Sequence, residues 1–329
     1  MAEKILEVQG LSTSFKTERG MMKAIDGVSF CVHRGEILGV VGESGCGKSV
    51  TSQSIMRLYD EKYQVKYTGS ILLDGRDILK LPEKQMQHVR GNDVAMVFQD
   101  ALSSLNPVFT IGQQITEAIR LHMKVSKKEA EERAVELLRK VQIPDAEKRL
   151  KTYPHQLSGG MRQRVMICMA LSCSPKLLIA DEPTTALDVT IQAQILDLIR
   201  KLRDDEKTAV LFITHDLGVV ADIAHRAVVM YAGNIMEMGT VRDMFRNPLH
   251  PYTQGLLSAI PKLSTPRGQK LYTIRGIVPD LSQLPQGCVF STRCDQCMEV
   301  CHHKRPPLRE LPDGRRVRCF RVEGGKELD

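Results

Sequence analysis

The sequence predicts an α/β fold in which buried strands alternate with helices around a phosphate-binding loop. Short apolar runs at residues 37–41, 177–180 and 210–213 have the length and composition of buried parallel strands. Residues 126–141 place their alanine, leucine and valine side chains on one face at helical spacing. Residues 42–49 lie between the first strand and a helix and fit the pattern G-x-x-x-x-G-K-S/T.

The elements that follow continue the same alternation. Pro144 and Pro154 break the chain after the first helix, a second helix at residues 161–171 begins at Ser158, and a third covers residues 191–202. Prolines then punctuate residues 248–285, where the sequence shows little helical period. We therefore expect a nucleotide-binding domain at residues 1–250 and a smaller second domain at residues 251–329.

The composition is that of a globular protein. The chain has 329 residues, 42% hydrophobic and 26% charged, and its net charge is +7. A basic surface would suit nucleic acid or an anionic membrane, but no aromatic side chains interleave the late basic residues, which favours a solvated surface. The charged N-terminus lacks the apolar core that a signal peptide would have, and no run reaches the roughly 18–20 apolar residues of a membrane span. We expect a cytosolic protein that meets a membrane only through a partner.

The glycine-rich run at residues 42–49 predicts a site for nucleotide phosphates. Its glycines allow backbone N–H groups to turn inward, and the helix that follows adds its positive N-terminal end. We expect Lys48 to contact the β- and γ-phosphates of ATP and the Ser49 hydroxyl to bind Mg²⁺. The predicted phosphate-binding residues are Gly42, Glu43, Ser44, Gly45, Cys46, Gly47, Lys48 and Ser49.

Two carboxylates end the apolar strand at residues 177–180. In doubly wound folds the carboxyl edge of the sheet is where ligands bind. We expect Asp181 to hold the Mg²⁺ shell and Glu182 to act as general base toward the attacking water. The sequence PTTALD, which follows them, strengthens this interpretation.

Residues 157–164, LSGGMRQR, resemble the signature sequence of ABC ATPases, and the match extends motif by motif over residues 5–245. The resemblance implies a P-loop NTPase with a RecA-like core and a helical signature subdomain at about residues 100–170. It also implies a head-to-tail dimer. In that dimer Ser158, Gly159 and Gly160 of one subunit would cap the γ-phosphate bound by the other, because a helix N-terminus faces the anion.

The same resemblance assigns roles to four more residues. Gln99, after the apolar run at residues 94–98, would touch Mg²⁺ and sense the membrane partner. Asp188 would lie at the dimer seam, and His215 would bind the γ-phosphate. Phe15 would stack on adenine, with a place in the core as its alternative.

Two runs narrow the resemblance to the ATPases of dipeptide and oligopeptide importers. Residues 98–107 resemble the Gln-loop region of that group, in which most members have proline at the position of Ala101. Residues 250–257, HPYTQGLL, resemble the start of its C-terminal extension. The resemblance implies a peripheral ATPase on the cytoplasmic side of the membrane. Its implied partners are a homologous ATPase in a heterodimer, two membrane permeases and, indirectly, an extracytoplasmic peptide-binding protein.

Two other functions stay open at this point. Importers of nickel and other small solutes share much of the same ATPase. A soluble ABC protein acting on nucleic acid or the ribosome would use the basic tail, but such proteins generally carry two cassettes in one chain. We therefore expect no nucleic-acid partner.

The cysteines predict a metal site near the C-terminus. Five of the nine cysteines lie between residues 288 and 319, and clustered cysteines in a cytosolic chain favour a metal over disulfides. Cys288, Cys294, Cys301 and Cys319 are spaced like the four that hold a 4Fe–4S cluster in part of the resembled family. Cys297, with Cys294 and the neighbouring His302 and His303, would suit Zn²⁺ instead. Reduced thiols without metal are the third alternative.

Overall fold

The structure, a computed structural model, describes residues 3–18, 20–62, 64–100, 104–185, 187–261 and 272–329. The strands within these ranges are β1 (Lys4–Thr17), β2 (Gly20–His33), β3 (Ile37–Val41), β4 (Val65–Leu73), β5 (Arg76–Asp77), β6 (Val94–Val97), β7 (Leu177–Asp181), β8 (Ala209–Thr214), β9 (Arg226–Tyr231), β10 (Asn234–Thr240), β11 (Arg309–Glu310), β12 (Arg316–Val317) and β13 (Lys326–Glu327). The helices are α1 (Lys48–Ile55), α2 (Glu83–Val89), α3 (Ile111–His122), α4 (Lys127–Lys140), α5 (Ala146–Arg149), α6 (Gly159–Ala170), α7 (Val189–Glu206), α8 (Leu217–Ile223), α9 (Val241–Arg246), α10 (Pro251–Ser258) and α11 (Glu299–His303).

The chain forms two compact units, each assembled from separate segments. The first unit contains Met1–Leu6, Val32–Glu36 and Lys80–Phe212. The second unit contains Glu7–Cys31, Ile37–Leu79 and Ile213–Asp329. Ala101, with the rest of residues 101–103, lies outside the described residues, so its predicted effect on the Gln-loop region has no structural counterpart here.

The second unit contains a mixed sheet in the order β13-β11-β12-β10-β9-β3. Strands β3 and β9 are parallel, with Leu38 opposite Arg226 and Val41 opposite Val229. Strand β10 pairs antiparallel with both β9 and β12, so a late segment of the chain extends this sheet. All five residues of β3 are buried, as the sequence predicts. A second sheet has the order β2-β1-β4-β5.

One core in the second unit joins early and late segments of the chain. Val41 of β3, Val229 of β9 and Tyr252 of α10 pack in the same buried cluster as Phe290 and Cys288. The segments after residue 251 are short pieces of helix, 3-10 helix and two-residue strands, in agreement with the weak helical period of the sequence. Their burial therefore depends on shared packing with the earlier strands.

The first unit contains β6, β7 and the first four residues of β8 side by side, and β6 and β7 are parallel. Helices α3 and α4 begin with capping boxes at Thr110 and Ser126, which satisfy the first backbone N–H groups. Helix α4 buries Ala130, Ala134, Leu137 and Leu138, the face that the sequence predicts. Among the described residues, no helix combines the length and the apolar character needed to cross a membrane.

Candidate nucleotide-binding site

The phosphate loop, residues 42–49, joins β3 to α1 in the second unit. Gly42, Gly45 and Gly47 have φ of 153°, 77° and 100°. A Cβ on Gly42 would lie 2.2 Å from the Met230 carbonyl oxygen, and one on Gly47 would lie 2.8 Å from a methyl of Ile25. Glycine is therefore required at both positions, because a side chain would strain the backbone and also overlap its neighbours.

Lys48 lies at the start of α1 and is buried, with 5% of its surface exposed. Its Nζ donates to the carbonyl oxygens of Gly42, at 2.8 Å, and Glu43, at 3.1 Å. The first turn of α1 has no acidic residue, so nothing on the helix opposes the positive end of its dipole. A buried ammonium beside a helix N-terminus is suited to bind phosphate oxygens.

Glu43 is held through three of its groups. Its carbonyl accepts from Lys48, and its backbone N–H donates to the Tyr252 Oη at 3.0 Å. Its carboxylate accepts two hydrogen bonds from the guanidinium of Arg293, at 2.5 and 3.0 Å. The sequence predicted Glu43 as a phosphate-loop residue but gave no sign of Arg293, which lies 250 residues away. Tyr252 belongs to the HPYTQGLL run, whose resemblance to the importer ATPases does not by itself indicate a contact with the phosphate loop.

The other predicted loop residues have distinct environments. Ser44 and Gly45 are exposed, whereas Cys46 is buried and its backbone N–H donates to the Glu43 carbonyl at 3.3 Å. Burial raises the pKa of the Cys46 thiol. Ser49 is half-buried in the first turn of α1.

His215 and Phe15 also lie in the second unit. His215 directly follows β8 and is exposed, and the next residue, Asp216, caps α8 with its side chain. Phe15 is half-buried in β1 and packs edge-on against Tyr59, with ring centroids 4.8 Å apart. The second unit thus carries the residues predicted to contact the phosphates and adenine within one chain.

The first unit carries a group that we call the carboxylate edge: Gln99, Asp181, Glu182 and Thr185. Parallel strands β6 and β7 pair Val97 with Ala180, so both strands end at one edge. Gln99 Nε2 donates to Glu182 Oε2 at 3.2 Å, and Thr185 Oγ1 donates to the same oxygen at 2.9 Å. Parallel register therefore brings together two residues that the sequence predicted separately, and adds Thr185, which it did not.

The two acidic residues of the carboxylate edge differ in environment. Asp181 is 3% exposed at the end of β7, whereas Glu182 is half-buried. Glu182 has φ of 47°, in the left-handed region that a non-glycine residue rarely adopts. Strain of this kind is typical of functional sites, where surrounding contacts hold the residue in place.

Helix α6 of the first unit begins at the signature sequence. The Ser158 Oγ accepts from the Met161 backbone N–H at 3.4 Å, and Ser158 and Gly159 are exposed. A Cβ on Gly160 would lie 2.8 Å from a methyl of Ile191, whereas one on Gly159 would meet nothing within 4 Å. Gly160 is therefore needed for packing, and Gly159 leaves the start of the helix open.

Asp188 is the N-cap of α7, and its Oδ1 accepts from the Ile191 backbone N–H at 2.9 Å. The observed helix, Val189–Glu206, is longer at both ends than the predicted 191–202. The Asp188 cap explains the earlier start. The polar residues after Leu202 continue the helix to a left-handed C-cap at Lys207.

The C-terminal cysteines that were predicted to bind a metal line one cavity in the second unit. Cys288, Cys294, Cys301 and Cys319 line it together with His250 and Phe290, among others. Burial, with the neighbouring thiols, raises the pKa of Cys288 and Cys294 to about 11. Within the described ranges, no three His, Cys, Asp or Glu side chains have the arrangement of a metal site. The four thiols therefore share one cavity, and the metal site stays a prediction.

In the zinc alternative, Cys297, His302 and His303 lie on α11 and the turn before it, whereas Cys294 lines the cavity with the other three cysteines. Cys297 Sγ lies 3.6 Å from His302 Nε2. His303 is exposed and pairs with Glu299 at 3.0 Å. This arrangement brings one thiol and one imidazole together and engages the second imidazole elsewhere.

Comparison with known proteins gives consistent matches along the chain. The family model described as ABC transporter matches residues 25–185, and the one described as oligopeptide/dipeptide transporter, C-terminal region, matches residues 236–301. The chain is 52% identical over 320 residues to the probable peptide ABC transporter ATP-binding protein y4tR of Sinorhizobium fredii, covering 97% of this chain and 96% of the relative. It is 51% identical to the oligopeptide transport ATP-binding protein OppD of Bacillus subtilis, covering 96% and 88%.

Among solved structures, the chain resembles the ATP-binding cassette MJ0796 in a dimeric, post-hydrolysis state bound to ADP and Pi. The TM-score is 0.65 at 26% identity, and the match covers 72% of this chain and 99% of that one. Most of this chain therefore has an equivalent in the solved ATP-binding cassette.

Proposed function

We propose a function that proceeds from one premise: the chain belongs to the family of peptide ABC transporter ATP-binding proteins. It has the ABC ATPase fold and hydrolyses ATP with Mg²⁺. In our proposal this hydrolysis drives the import of dipeptides and oligopeptides. The observation that carries the substrate class is the match of residues 236–301 to the C-terminal region of oligopeptide and dipeptide transporters.

The phosphate loop is the proposed anchor for ATP. Lys48 would exchange the Gly42 and Glu43 carbonyls for phosphate oxygens, since an ammonium binds an anion more strongly than a carbonyl dipole. Ser49, Gln99 and Asp181 carry oxygen atoms of the kind that bind Mg²⁺, and Asp181 lies buried at the end of β7. When bound, Mg²⁺ neutralises charge between the β- and γ-phosphates.

Glu182 is the proposed general base. Gln99 and Thr185 both donate to its Oε2, and these two bonds fix the orientation of the carboxylate. In that orientation Glu182 would accept the proton of the attacking water while His215 contacts the γ-phosphate. Phe15 is the proposed stacking partner of adenine, and its contact with Tyr59 would hold the ring in place.

The signature residues are proposed to act on a second ATPase. Ser158, Gly159 and Gly160 would cap the γ-phosphate bound by the partner subunit, and Asp188 would lie at the dimer seam. The bond that Ser158 Oγ accepts is 3.4 Å long, beyond the usual range for N–H···O, so little is lost when the hydroxyl turns to a phosphate. ATP binding would close the dimer, and hydrolysis would reopen it.

The proposed assembly is a heterodimer with a homologous ATPase, docked on two permeases at the cytoplasmic side of the membrane. A separate extracytoplasmic protein would deliver the peptide. In domain terms we propose a nucleotide-binding domain with a RecA-like core at residues 1–250, a helical subdomain at about 100–170, and a cysteine-rich extension at 251–329.

We also propose that this extension holds a 4Fe–4S cluster through Cys288, Cys294, Cys301 and Cys319. The support is that all four thiols line one cavity and suit iron–sulfur chemistry. The four cysteines would bind the cluster as thiolates, and the binding would supply folding energy that a short, proline-rich segment lacks. Iron, sulfide and zinc per chain after anaerobic purification test this directly, and about four irons and four sulfides are expected. The Cys297→Ser variant should keep the iron and Cys294→Ser should lose it; one zinc and no iron would contradict the proposal.

The experiment that tests transport compares uptake of a labelled tripeptide and of Ni²⁺ by cells with and without the chain. Loss of peptide uptake alone supports the proposal, and loss of Ni²⁺ uptake alone would replace it with the small-solute alternative. Fractionation of the same cells addresses the nucleic-acid alternative. If the chain sediments with a particulate fraction, and ribonuclease releases it whereas loss of the permeases does not, the transporter assignment is contradicted.

A further inference from the structure

Arg293 and Tyr252 come from the C-terminal part of the second unit, yet both contact the phosphate loop. Arg293 belongs to the 3-10 helix Ser291–Arg293, and Tyr252 to the first turn of α10. Their common partner is Glu43, the second residue of the loop. These contacts connect a region outside the cassette match to the nucleotide site.

The Arg293 side chain is fixed on every side. Only 4% of it is exposed, its Nε donates to the Arg275 carbonyl at 2.9 Å, and its two terminal nitrogens bind the Glu43 carboxylate. Its guanidinium carbon lies 5.7 Å from the ring centre of Tyr231. A bidentate arginine–carboxylate pair held by these contacts is rigid, because a planar guanidinium loses little conformational entropy for each hydrogen bond that it makes.

Glu43 presents an electrostatic difficulty that this pair resolves. A loop that binds a polyanion carries a carboxylate, which without a partner would repel the incoming phosphates. Arg293 neutralises that carboxylate, and the pairing raises the pKa of the guanidinium further above its usual value. The Glu43 carbonyl also accepts from Lys48, so the position of Glu43 affects the position of the lysine that is proposed to turn to phosphate.

Tyr252 holds the backbone of the same residue. It is fully buried, packs edge-on against Tyr231 with ring centroids 4.8 Å apart, and its Oη accepts the Glu43 N–H. Phe290 closes this aromatic cluster from the segment that also carries Arg293. One aromatic cluster therefore supports both contacts to the loop.

We propose that Arg293 and Tyr252 are positioning residues of the ATP site, which hold Glu43 and neutralise its charge so that the phosphate loop accepts ATP. The C-terminal region is then a structural part of the nucleotide site in addition to any role of its cysteines. This inference rests on the ATP site of the proposed function.

The test measures the Kd for Mg-ATP on the purified full chain, and the steady-state KM and kcat on the assembled transporter that contains it. Arg293→Gln should raise Kd and KM about tenfold and leave kcat within about twofold, because the base and its partners are unchanged. Tyr252→Phe, which removes only the hydroxyl, should raise Kd about threefold. Arg293→Lys keeps the charge and should recover most of the affinity.

A second substitution separates loop positioning from general stability. Glu43→Gln in the Arg293→Gln background removes the uncompensated carboxylate and should return Kd to within about threefold of the parental value. The matched control is Arg318→Gln, another largely buried arginine of the same region, which donates to the Ile235 and Pro306 carbonyls and not to the loop. It should lower the melting temperature without changing Kd.

The outcomes are distinguishable. If Arg293→Gln binds ATP as tightly as the parent, if Arg318→Gln weakens binding equally, or if the double variant stays as weak as Arg293→Gln, the inference is overturned. If the parental chain itself does not bind ATP, the proposed function fails together with it. Melting temperatures recorded for all variants identify any that are unfolded under the assay, and Tyr252→Phe, which loses only one hydroxyl, then decides the result.

Discussion

The phosphate loop is shaped by glycines and by buried contacts, among them those of Tyr252 and Arg293 to Glu43, whereas Glu182 at the carboxylate edge accepts two hydrogen bonds from neighbouring side chains. In the loop, Gly42 and Gly47 fit only without side chains, and Lys48 is buried against carbonyl oxygens. At the edge, Gln99 is exposed and Glu182 is held by amide and hydroxyl donors. Steric overlap therefore limits the shape of the loop, whereas the orientation of Glu182 depends on hydrogen bonds that single substitutions can remove.

The largest expected effect breaks the edge and spares the loop. Glu182→Gln should lower kcat by about 10²- to 10⁴-fold, the contribution typical of a general base, and leave the Kd for Mg-ATP unchanged. Turnover and equilibrium ATP binding measure the two separately. Glu206→Gln, which alters a surface carboxylate paired with Lys140, is the control. Parental turnover in Glu182→Gln would remove the assigned role.

The second prediction breaks the loop. Gly42→Ala should reduce the free energy of unfolding by about 3 kcal/mol or more, because its Cβ would overlap the Met230 carbonyl and adopt a strained φ. Gly45→Ala shares a positive φ but meets open space, so its cost should be about 1–2 kcal/mol. Denaturant unfolding compares the two variants. Equal losses would show that overlap does not set the shape of the loop.

The third prediction concerns the support that α10 gives to the loop. Burial lowers the pKa of His250 to about 3, and its Nδ1 accepts from the Tyr252 backbone N–H. The unfolded chain binds a proton on this histidine below its usual pKa of 6.5 and the folded chain does not, so stability falls as the pH falls below 6.5. The slope is at most about 1.4 kcal/mol per pH unit.

Thermal unfolding between pH 7 and about pH 4.5 measures this slope. His250→Asn keeps a capping oxygen without the titration and should flatten it. Glu237, which accepts from the His250 N–H, has a pKa that burial raises, so its contribution is complete below 4.5 and declines as the pH rises. Its effect has the opposite sign and is common to both proteins. An unchanged slope in His250→Asn, or an equal change in the exposed His303→Asn, would contradict the assignment.

The smallest expected effect sharpens the comparison at the edge itself. Gln99→Ala should lower kcat about tenfold with little change in KM for ATP, because Thr185 still donates to the same oxygen of Glu182. Replacing both Gln99 and Thr185 should cost more than the sum of the two single changes. Strictly additive effects would mean that the two donors do not act on one oxygen.

The sequence predicts the loop well because the residues that form it are consecutive and their pattern has a direct physical meaning. The strands at residues 37–41 and 177–180 and the face of α4 follow from local hydrophobic patterns in the same way. The contact between Gln99 and Glu182 depends on the pairing of β6 with β7, which cannot be derived from local sequence patterns.

The long strand β2 has a local pattern in the sequence that predicts it. Val28, Phe30 and Val32 alternate with less buried residues in β2, the pattern of a half-buried strand. The Arg293–Glu43 pair has no such local pattern, because the sequence alone predicts that an arginine in a proline-rich segment is an exposed surface charge. Only tertiary packing distinguishes it from its neighbours.

The separation of 250 residues between Glu43 and Arg293 affects when their contact can form during synthesis on the ribosome. At about 5–20 residues per second, the ribosome adds Arg293 about 12–50 seconds after Glu43. A contact between such distant positions also forms only after a large entropy of loop closure has been overcome. In our proposal a nascent chain would therefore carry a recognisable nucleotide motif before it gains full affinity, and ATP would bind tightly only after the segment that carries Arg293 has been synthesised and folded.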